Sequence, residues 1–294
     1  MPASMWACSH APLCRDLMID EASIGPIAGV TITTPDLAAS EDAYVRWLGY
    51  RVSKRGQVGR AQARAWGSPA VEGAGYVVLH PEAGEDFTFR LVATPAVPDY
   101  RAFSCFGWNA AELIVRDVDA MAEQLAGSAF RILGPPQDLS FTDAIRAMQV
   151  RGPAGEILYL TEFKRELPTL HAPPARCDVD RAFIVIVGGA SLDKLIAFYT
   201  TTFGVPPPQR MESRVKAMSE VFSLSPEHRY EIAALPLRGG CYIEADQMPA
   251  AAAAPHCPPE YLPPGIAIVS VAGSGHARCV VGAAGELIEI NAGG

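Results

Sequence analysis

The chain has 294 residues, is 49% apolar and carries a formal net charge of −8. This length and composition suffice for two domains with substantial hydrophobic cores. The acidic balance and the lack of any Lys/Arg run argue against a nucleic-acid or anionic-membrane surface. No apolar run reaches the roughly 18 residues of a membrane span. We therefore expect no nucleic-acid partner and no membrane partner.

Residues 1–25 precede the first recognisable pattern and lack the basic start and apolar core of a secretory signal, which predicts an N-terminal tail. The chain has seven cysteines, an odd number with no repeated spacing. This pattern favours free thiols in a reducing cytoplasm over a disulfide framework. The spacing of Cys8, His10 and Cys14 lacks a fourth ligand, so it does not predict a metal site.

The first structural pattern is a strand, a turn and a helix. Apolar and polar residues alternate over residues 29–33, as in a strand with one buried face. Asp36 then stands where a helix N-cap is favoured, and residues 37–48 carry an apolar seam with helical spacing. Gly49 follows at the position where a left-handed residue ends a helix.

This outline recurs along the chain. Residues 183–204 repeat it with a helix that Ser191 opens, and residues 110–127 repeat it more weakly. A fourth copy begins at residue 266, but residues 272–275 stand where its helix should be. The repetition indicates duplication of one module.

Further strands are predicted within the modules, and a Pro-containing stretch at residues 164–180 predicts a linker. The candidate strands outside the repeated outline are residues 75–80, 86–93, 156–161, 215–224, 230–235 and 240–245.

The module resembles a known family. A strand, a polar turn with Asp, a helix ending near Leu48-Gly49 or Phe203-Gly204, and a later Gly-x-x-x-Glu strand resemble the vicinal oxygen chelate superfamily. That superfamily includes glyoxalases, bleomycin-resistance proteins and extradiol dioxygenases. The resemblance implies an α+β fold of tandem βαβββ modules that form two cupped mixed sheets, with the fourth module truncated. We expect a two-module domain at residues 26–163 and another at residues 181–294.

The resemblance also implies where a metal would bind. In the superfamily the ligands lie in each module's first strand, usually His, and in its last strand, usually Glu. The places that match the histidines are Gly29, Ala110, Ile184 and about Ile266. The places that match the glutamates are Arg90, Tyr159, Glu244 and Glu289. Because the first set cannot bind a metal, we expect neither a metal nor another cofactor.

Glu244 and Glu289 are the predicted catalytic residues. If the third and fourth modules close around one cup, these carboxylates approach each other, and two close carboxylates can act as an acid and a base. Alternatively, they are solvated strand residues paired with Arg238 or Arg278.

The predicted substrate-binding residues share the strand parity that faces a cup, apart from a histidine that flanks strands of the third module. Arg90 can bind a carboxylate or phenolate through its fork of donors, and Tyr159 can donate to a substrate oxygen. An ion pair between Arg90 and Glu112 is the structural alternative. The full predicted set is Arg90, Tyr159, Thr31, Thr33, Glu112 and His228.

These observations favour a metal-independent enzyme that transfers a proton on a small aromatic or apolar organic acid, as an isomerase or lyase. The alternatives are a metal-free protein that sequesters a small molecule, and a relative of extradiol dioxygenases, against which the missing histidines argue. A small-molecule ligand is the expected partner, a homodimer stays open, and the cytoplasm is the expected location.

Overall fold

A computed structural model describes residues 23–140, 142–167, 172–258, 260–274 and 276–292. The described residues form two curled mixed sheets, of seven and eight strands. Most of the predicted N-terminal tail, with Cys8, His10 and Cys14, lies outside the described residues. The first strand begins at Ile24, so ordered structure starts within the stretch assigned to the tail.

The seven-stranded sheet combines the first and fourth modules in the order β14-β15-β13-β1-β4-β3-β2. Its strands are β1 (Ile24–Thr34), β2 (Arg51–Gln57), β3 (Gly75–His80), β4 (Thr88–Ala93), β13 (Gly265–Gly273), β14 (Arg278–Val281) and β15 (Leu287–Ala292). The helices of the first module are α1 (Leu37–Leu48) and α2 (Arg60–Ala65).

The eight-stranded sheet combines the second and third modules in the order β10-β11-β12-β9-β5-β8-β7-β6. Its strands are β5 (Gly107–Val115), β6 (Arg131–Leu139), β7 (Thr142–Arg151), β8 (Ile157–Phe163), β9 (Val179–Gly189), β10 (Arg210–Ser213), β11 (Tyr230–Leu237) and β12 (Cys241–Gln247). The helices of these modules are α3 (Val118–Leu125), α4 (Leu192–Phe203) and α5 (Lys216–Val221).

The modules pair across the sequence halves. In the seven-stranded sheet β1 pairs with β13 in antiparallel fashion, and in the eight-stranded sheet β5 pairs with β9 in the same way. The expected cup of the third and fourth modules is therefore wrong, because these modules lie in different sheets. The boundaries proposed for the two halves, residues 26–163 and 181–294, stay a prediction.

Local sequence signals placed several helix ends correctly. The Asp36 carboxylate accepts a hydrogen bond from the Ala39 amide at 2.9 Å, and Gly49 ends α1 with φ of 70°. Ser191 caps α4 in the same way as Asp36 caps α1. The fourth module keeps β13, β14 and β15 as expected.

The strand predicted at residues 215–224 is wrong, since most of it forms α5. Val215, Met218 and Phe222 follow one another at intervals of three and four residues, which is the spacing of a helical stripe. All three pack in the hydrophobic cluster on the concave face of the eight-stranded sheet. Burial of this stripe, together with the good helix formers Lys216, Ala217 and Glu220, explains why the segment is helical.

The largest hydrophobic core lies on the other faces of the sheets, where α1, α3 and α4 pack. Side chains of both sheets contribute to this one core, so the two sheets share their main source of hydrophobic stability. The concave faces are left for the remaining clusters. No helix among the described residues is long and apolar enough to span a membrane.

Candidate functional site

The register of the strands decides which side chains lie next to each other on the concave faces. Arg90 lies beside Thr31 on the neighbouring strand, and Glu289 beside Ser270. In the other sheet Tyr159 lies beside Glu112 and Glu244 beside Ile186. The strand partners are thus Thr31, Glu112, Ile186 and Ser270. The places matched to histidines are other residues of the same strands and do not lie beside Arg90, Tyr159, Glu244 or Glu289. They are Gly29, Ala110, Ile184 and Ile266.

The concave face of the seven-stranded sheet carries an ion pair between Arg90 and Glu289. An Arg90 Nη2 donates to Glu289 Oε2 at 3.1 Å, and the Ser270 hydroxyl donates to the same oxygen at 2.8 Å. Trp66, just after α2, donates from Nε1 to the other oxygen at 3.2 Å. Its ring also lies 5.3 Å from the Arg90 guanidinium carbon. These contacts satisfy both charges internally.

Burial alone would raise the pKa of Glu289, but Arg90, Ser270 and Trp66 outweigh it and hold that pKa below its ordinary value. A carboxylate kept ionised by a fixed guanidinium is a poor proton carrier. Glu244 and Glu289 lie in different sheets, so the structure does not bring the predicted proton-transfer pair together. The alternative pairing of Glu289 with Arg278 is wrong, because Arg90 is its partner.

The remaining predicted residues of this sheet also have structural neighbours. Thr31 accepts from Arg90 at 3.4 Å, and the Thr33 hydroxyl donates to the Pro263 carbonyl at 2.9 Å. The alternative in which Arg90 pairs with Glu112 is also wrong, since these residues lie in different sheets. None of Arg90, Thr31 and Thr33 lines the cavity of the other sheet, which is described next.

The concave face of the eight-stranded sheet holds a cavity of about 280 Å³. Its centre is lined by Glu112 on β5, Tyr159 on β8, Ile186 on β9 and Glu244 on β12. Residues from β6, β7 and the β10–α5 corner complete the walls. The cavity therefore joins three residues that the sequence singled out, Glu112, Tyr159 and Glu244, from two modules.

The two glutamates at the centre of this cavity have perturbed acidities. Burial raises the pKa of Glu112 to about 7, although the Thr161 hydroxyl, which donates to it at 2.5 Å, lowers the pKa in part. Burial, followed by the charges of Asp246 and Glu112, raises the pKa of Glu244 well above its ordinary value. No cation contributes to either shift. The raised pKa of Glu244 favours its protonated form, and Glu112 titrates near neutral pH.

Asp246 is a buried carboxyl that the sequence analysis did not single out. It lies two residues after Glu244 on β12, and because strand side chains alternate, both face the same side of the sheet. Its side chain is 0% exposed, and neither oxygen has a hydrogen-bond partner among the described residues. Burial raises the pKa of Asp246 to about 7. The period-two pattern was the signal that could have identified it.

Tyr159 lines the cavity, whereas His228 lies outside it. Burial, then the nearby Glu244, Asp246 and Glu112, raises the pKa of Tyr159 well above its ordinary value, which keeps the phenol protonated. It can therefore donate a hydrogen bond into the cavity. His228 is exposed, stacks edge-on with Tyr230 at a ring distance of 4.7 Å and does not line the cavity. A role for His228 in binding has no support from its position.

On neither concave face do the side chains form a suitable ligand set for the divalent metal that the superfamily resemblance implies. In the seven-stranded sheet the Arg90 guanidinium already neutralises Glu289. In the eight-stranded sheet Ile186 offers no donor, and Tyr159 is held as a phenol. The described residues include no group of three or more His, Cys, Asp or Glu side chains placed to hold a metal.

Comparison with known proteins finds relatives by structure alone. No family model and no curated protein sequence matches the chain. Glyoxalase I from Zea mays superposes with a TM-score of 0.59 at 13% identity, over 90% of this chain and 92% of that one. A candidate dioxygenase from Bacillus subtilis superposes with a TM-score of 0.58 at 11% identity, over 92% and 85% of the two chains.

Proposed function

We propose a function from the premise that the chain has the fold of the vicinal oxygen chelate superfamily. The cavity of the eight-stranded sheet binds a small aromatic or apolar organic acid, and Glu112 and Glu244 transfer a proton on it without a metal. The reaction is of the isomerase or lyase kind. The observation that carries this proposal is two carboxyls from different modules in one cavity, with no cation paired to either.

The two carboxyls have different roles because their environments separate their acidities. Glu244, whose raised pKa favours the protonated form, donates a hydrogen bond to a substrate oxygen and stabilises negative charge that develops there. Glu112, with a pKa of about 7, is ionised in a useful fraction of molecules and accepts the proton from a neighbouring carbon. Tyr159 adds a second donor to the same oxygen. Asp246 acts through Glu244, whose acidity it lowers.

The test is hydrogen exchange at carbon. Small aromatic oxo acids such as phenylpyruvate are incubated with the protein in D₂O, and deuterium incorporation above the buffer rate is followed by proton NMR. We expect Glu112→Gln and Glu244→Gln to lower the exchange rate by roughly 10² to 10⁴, the range typical of general acid–base groups. Both variants should still bind the acid, because Gln retains shape and hydrogen-bonding capacity.

Glu289→Gln is the matched control, because Glu289 lies in the other sheet and is bound to Arg90. It should leave the exchange rate unchanged. A loss of exchange in Glu289→Gln equal to that in Glu112→Gln would contradict the assignment. So would wild-type protein that binds the acids yet exchanges no proton.

That last outcome would favour the second candidate, a protein that sequesters a small molecule. The apolar wall residues Met148, Ile186 and Val215 support it, because such surfaces bind aromatic or aliphatic groups without any chemistry. Titration calorimetry with the same acids would then show binding that Glu112→Gln and Glu244→Gln change only modestly. A relative of extradiol dioxygenases is the third candidate, and the donor sets described above argue against it.

A further inference from the structure

Ser213 is a buried serine in the cavity wall with an unused hydroxyl. It is the last residue of β10, is 2% exposed and lines the cavity. Its Oγ has no hydrogen-bond partner among the described residues. A buried hydroxyl without a partner is destabilising, and native proteins rarely retain one unless a ligand or water satisfies it. Ser213 therefore indicates a polar ligand atom at this corner.

Basic side chains surround the same corner. Arg214 and Lys216 follow Ser213 in sequence, Arg229 lies just before β11, and all three line the cavity. Glu227 contacts Arg214 at 2.8 Å, but its side chain is 74% exposed, so the pair is weakened by solvent screening. Arg214 and Lys216 thus place positive charge on this wall.

The acidic groups of the cavity lie elsewhere. Glu112 and Glu244 belong to the central strands β5 and β12. Asp138, on β6, is already neutralised by Lys164 at 2.6 Å and by Arg146 at 3.3 Å. An anionic ligand group would be repelled at the centre by the ionised fraction of Glu112 and attracted to the basic side chains of the β10–α5 corner. The charge distribution thus gives the ligand one favoured orientation.

We propose that the corner formed by Ser213, Arg214 and Lys216, with Arg229 beside it, is a carboxylate-binding subsite. It holds the acid group of a monocarboxylate, whose apolar body lies along Met148 and Ile186 toward Glu112 and Glu244. The Ser213 hydroxyl donates to one carboxylate oxygen and the basic side chains donate to the other. The inference rests on the proposed function only for the part of the ligand that reacts near Glu112 and Glu244. Binding of the acid group at the corner does not depend on any reaction.

The experiment compares phenylacetate with its neutral isostere phenylacetamide by titration calorimetry. We expect wild-type protein to bind phenylacetate more tightly, with affinity that falls between about 20 mM and about 200 mM NaCl, whereas the amide shows little salt dependence. The double variant Arg214→Gln/Lys216→Gln should lose about tenfold or more in phenylacetate affinity, and Ser213→Ala several-fold. Amide binding should change by less than about twofold.

Arg210→Gln is the matched control. Arg210 lies on the same strand, but its guanidinium contacts Asp193 and does not line the cavity. It should leave phenylacetate affinity unchanged. Equal wild-type affinity for acid and amide, an equal loss in Arg210→Gln, or no binding of phenylacetate would overturn the subsite.

The salt dependence of the wild type needs no variant, so the test survives if a substituted protein fails to fold. The result is also separable from the proton-transfer proposal. If acid binding depends on Ser213, Arg214 and Lys216 but no deuterium exchange occurs, the subsite is supported and the proton-transfer proposal is contradicted. If a neutral ketone exchanges deuterium at a rate that the corner variants do not affect, and acid binding does not depend on the corner, the proton-transfer proposal is supported and the subsite is contradicted.

Discussion

Asp246 shows how a buried carboxyl couples the candidate site to folding. Its pKa is raised in the folded protein, so the folded chain binds its proton more tightly than the unfolded chain. Stability is fully present below the unfolded-state pKa, falls as the pH rises toward about 7, and stays reduced above that value.

Replacement of this carboxyl by the isosteric amide should remove the pH-dependent loss. We expect Asp246→Asn to be more stable than wild type at pH 8, on the order of 2 kcal/mol, and to differ little near pH 4. Urea unfolding at several pH values measures the difference. Asp42→Asn, on the exposed side of α1, is the control and should show no such trend. A constant Asp246→Asn effect at every pH would contradict the burial argument.

Two hairpins depend on a glutamate buried beneath their turns. The turn before β8 ends at Glu156, which accepts hydrogen bonds from the Ala154 amide at 2.9 Å and from the hydroxyl of Tyr44 on α1 at 2.8 Å. The turn before β15 repeats the arrangement, with Glu286 accepting from Tyr199 on α4 at 2.9 Å. Each hairpin thus anchors the helix of the preceding module. The sequence Gly-x-Ala-Gly-Glu occurs at residues 152–156 and 282–286, and its local turn chemistry favours the turns but does not specify these anchors.

A glycine in each hairpin is needed for close approach of the glutamate. A Cβ at Gly152 would lie 1.9 Å from Glu156 Oε1, and the same atom at Gly282 would lie 2.0 Å from Glu286 Oε1. We expect Gly152→Ala to lower the free energy of unfolding by about 1–3 kcal/mol, because the buried carboxyl must move. Gly59→Ala is the control, since nothing lies within 4 Å of its Cβ. Equal effects in urea unfolding would show that the contact is unimportant.

The chain crosses between the two sheets, and both sheets therefore contain strands from both sequence halves. The antiparallel pairs β1–β13 and β5–β9 join residues on either side of the 164–180 segment. Separation of the halves would expose the edges of four central strands and part of the shared core, which is strongly unfavourable.

We therefore expect the halves to stay associated after the chain is cut. A protease site inserted between Pro174 and Ala175, in an irregular segment, should be cleaved under native conditions. The cut protein should elute in size-exclusion chromatography at the volume of the uncut protein and separate only in denaturant. The uncleaved insertion variant is the control. Elution of two half-sized species under native conditions would contradict the observed module pairing.

The candidate site was partly predictable from sequence. Strand parity pointed Glu112 and Tyr159 toward a cup, because alternation along a strand is a local property, and the superfamily resemblance singled out Glu244. The pairing of Glu244 with Glu289 failed, since parity says nothing about which sheet a strand joins. Ser213 was also beyond local reasoning, because its significance lies in a missing hydrogen bond and in a cavity built from distant residues.

The sequence by itself determined the repeated strand–turn–helix unit, the caps at Asp36 and Ser191, and the truncated fourth module. These features depend on contacts among residues close together in the chain, where periodicity and capping operate. Only the tertiary structure decided that the first module joins the fourth and the second joins the third. The first strands of the modules carry similar apolar patterns, so the choice among their edges depends on packing of the whole core. That choice places Glu112 and Glu244 in one cavity and pairs Glu289 with Arg90.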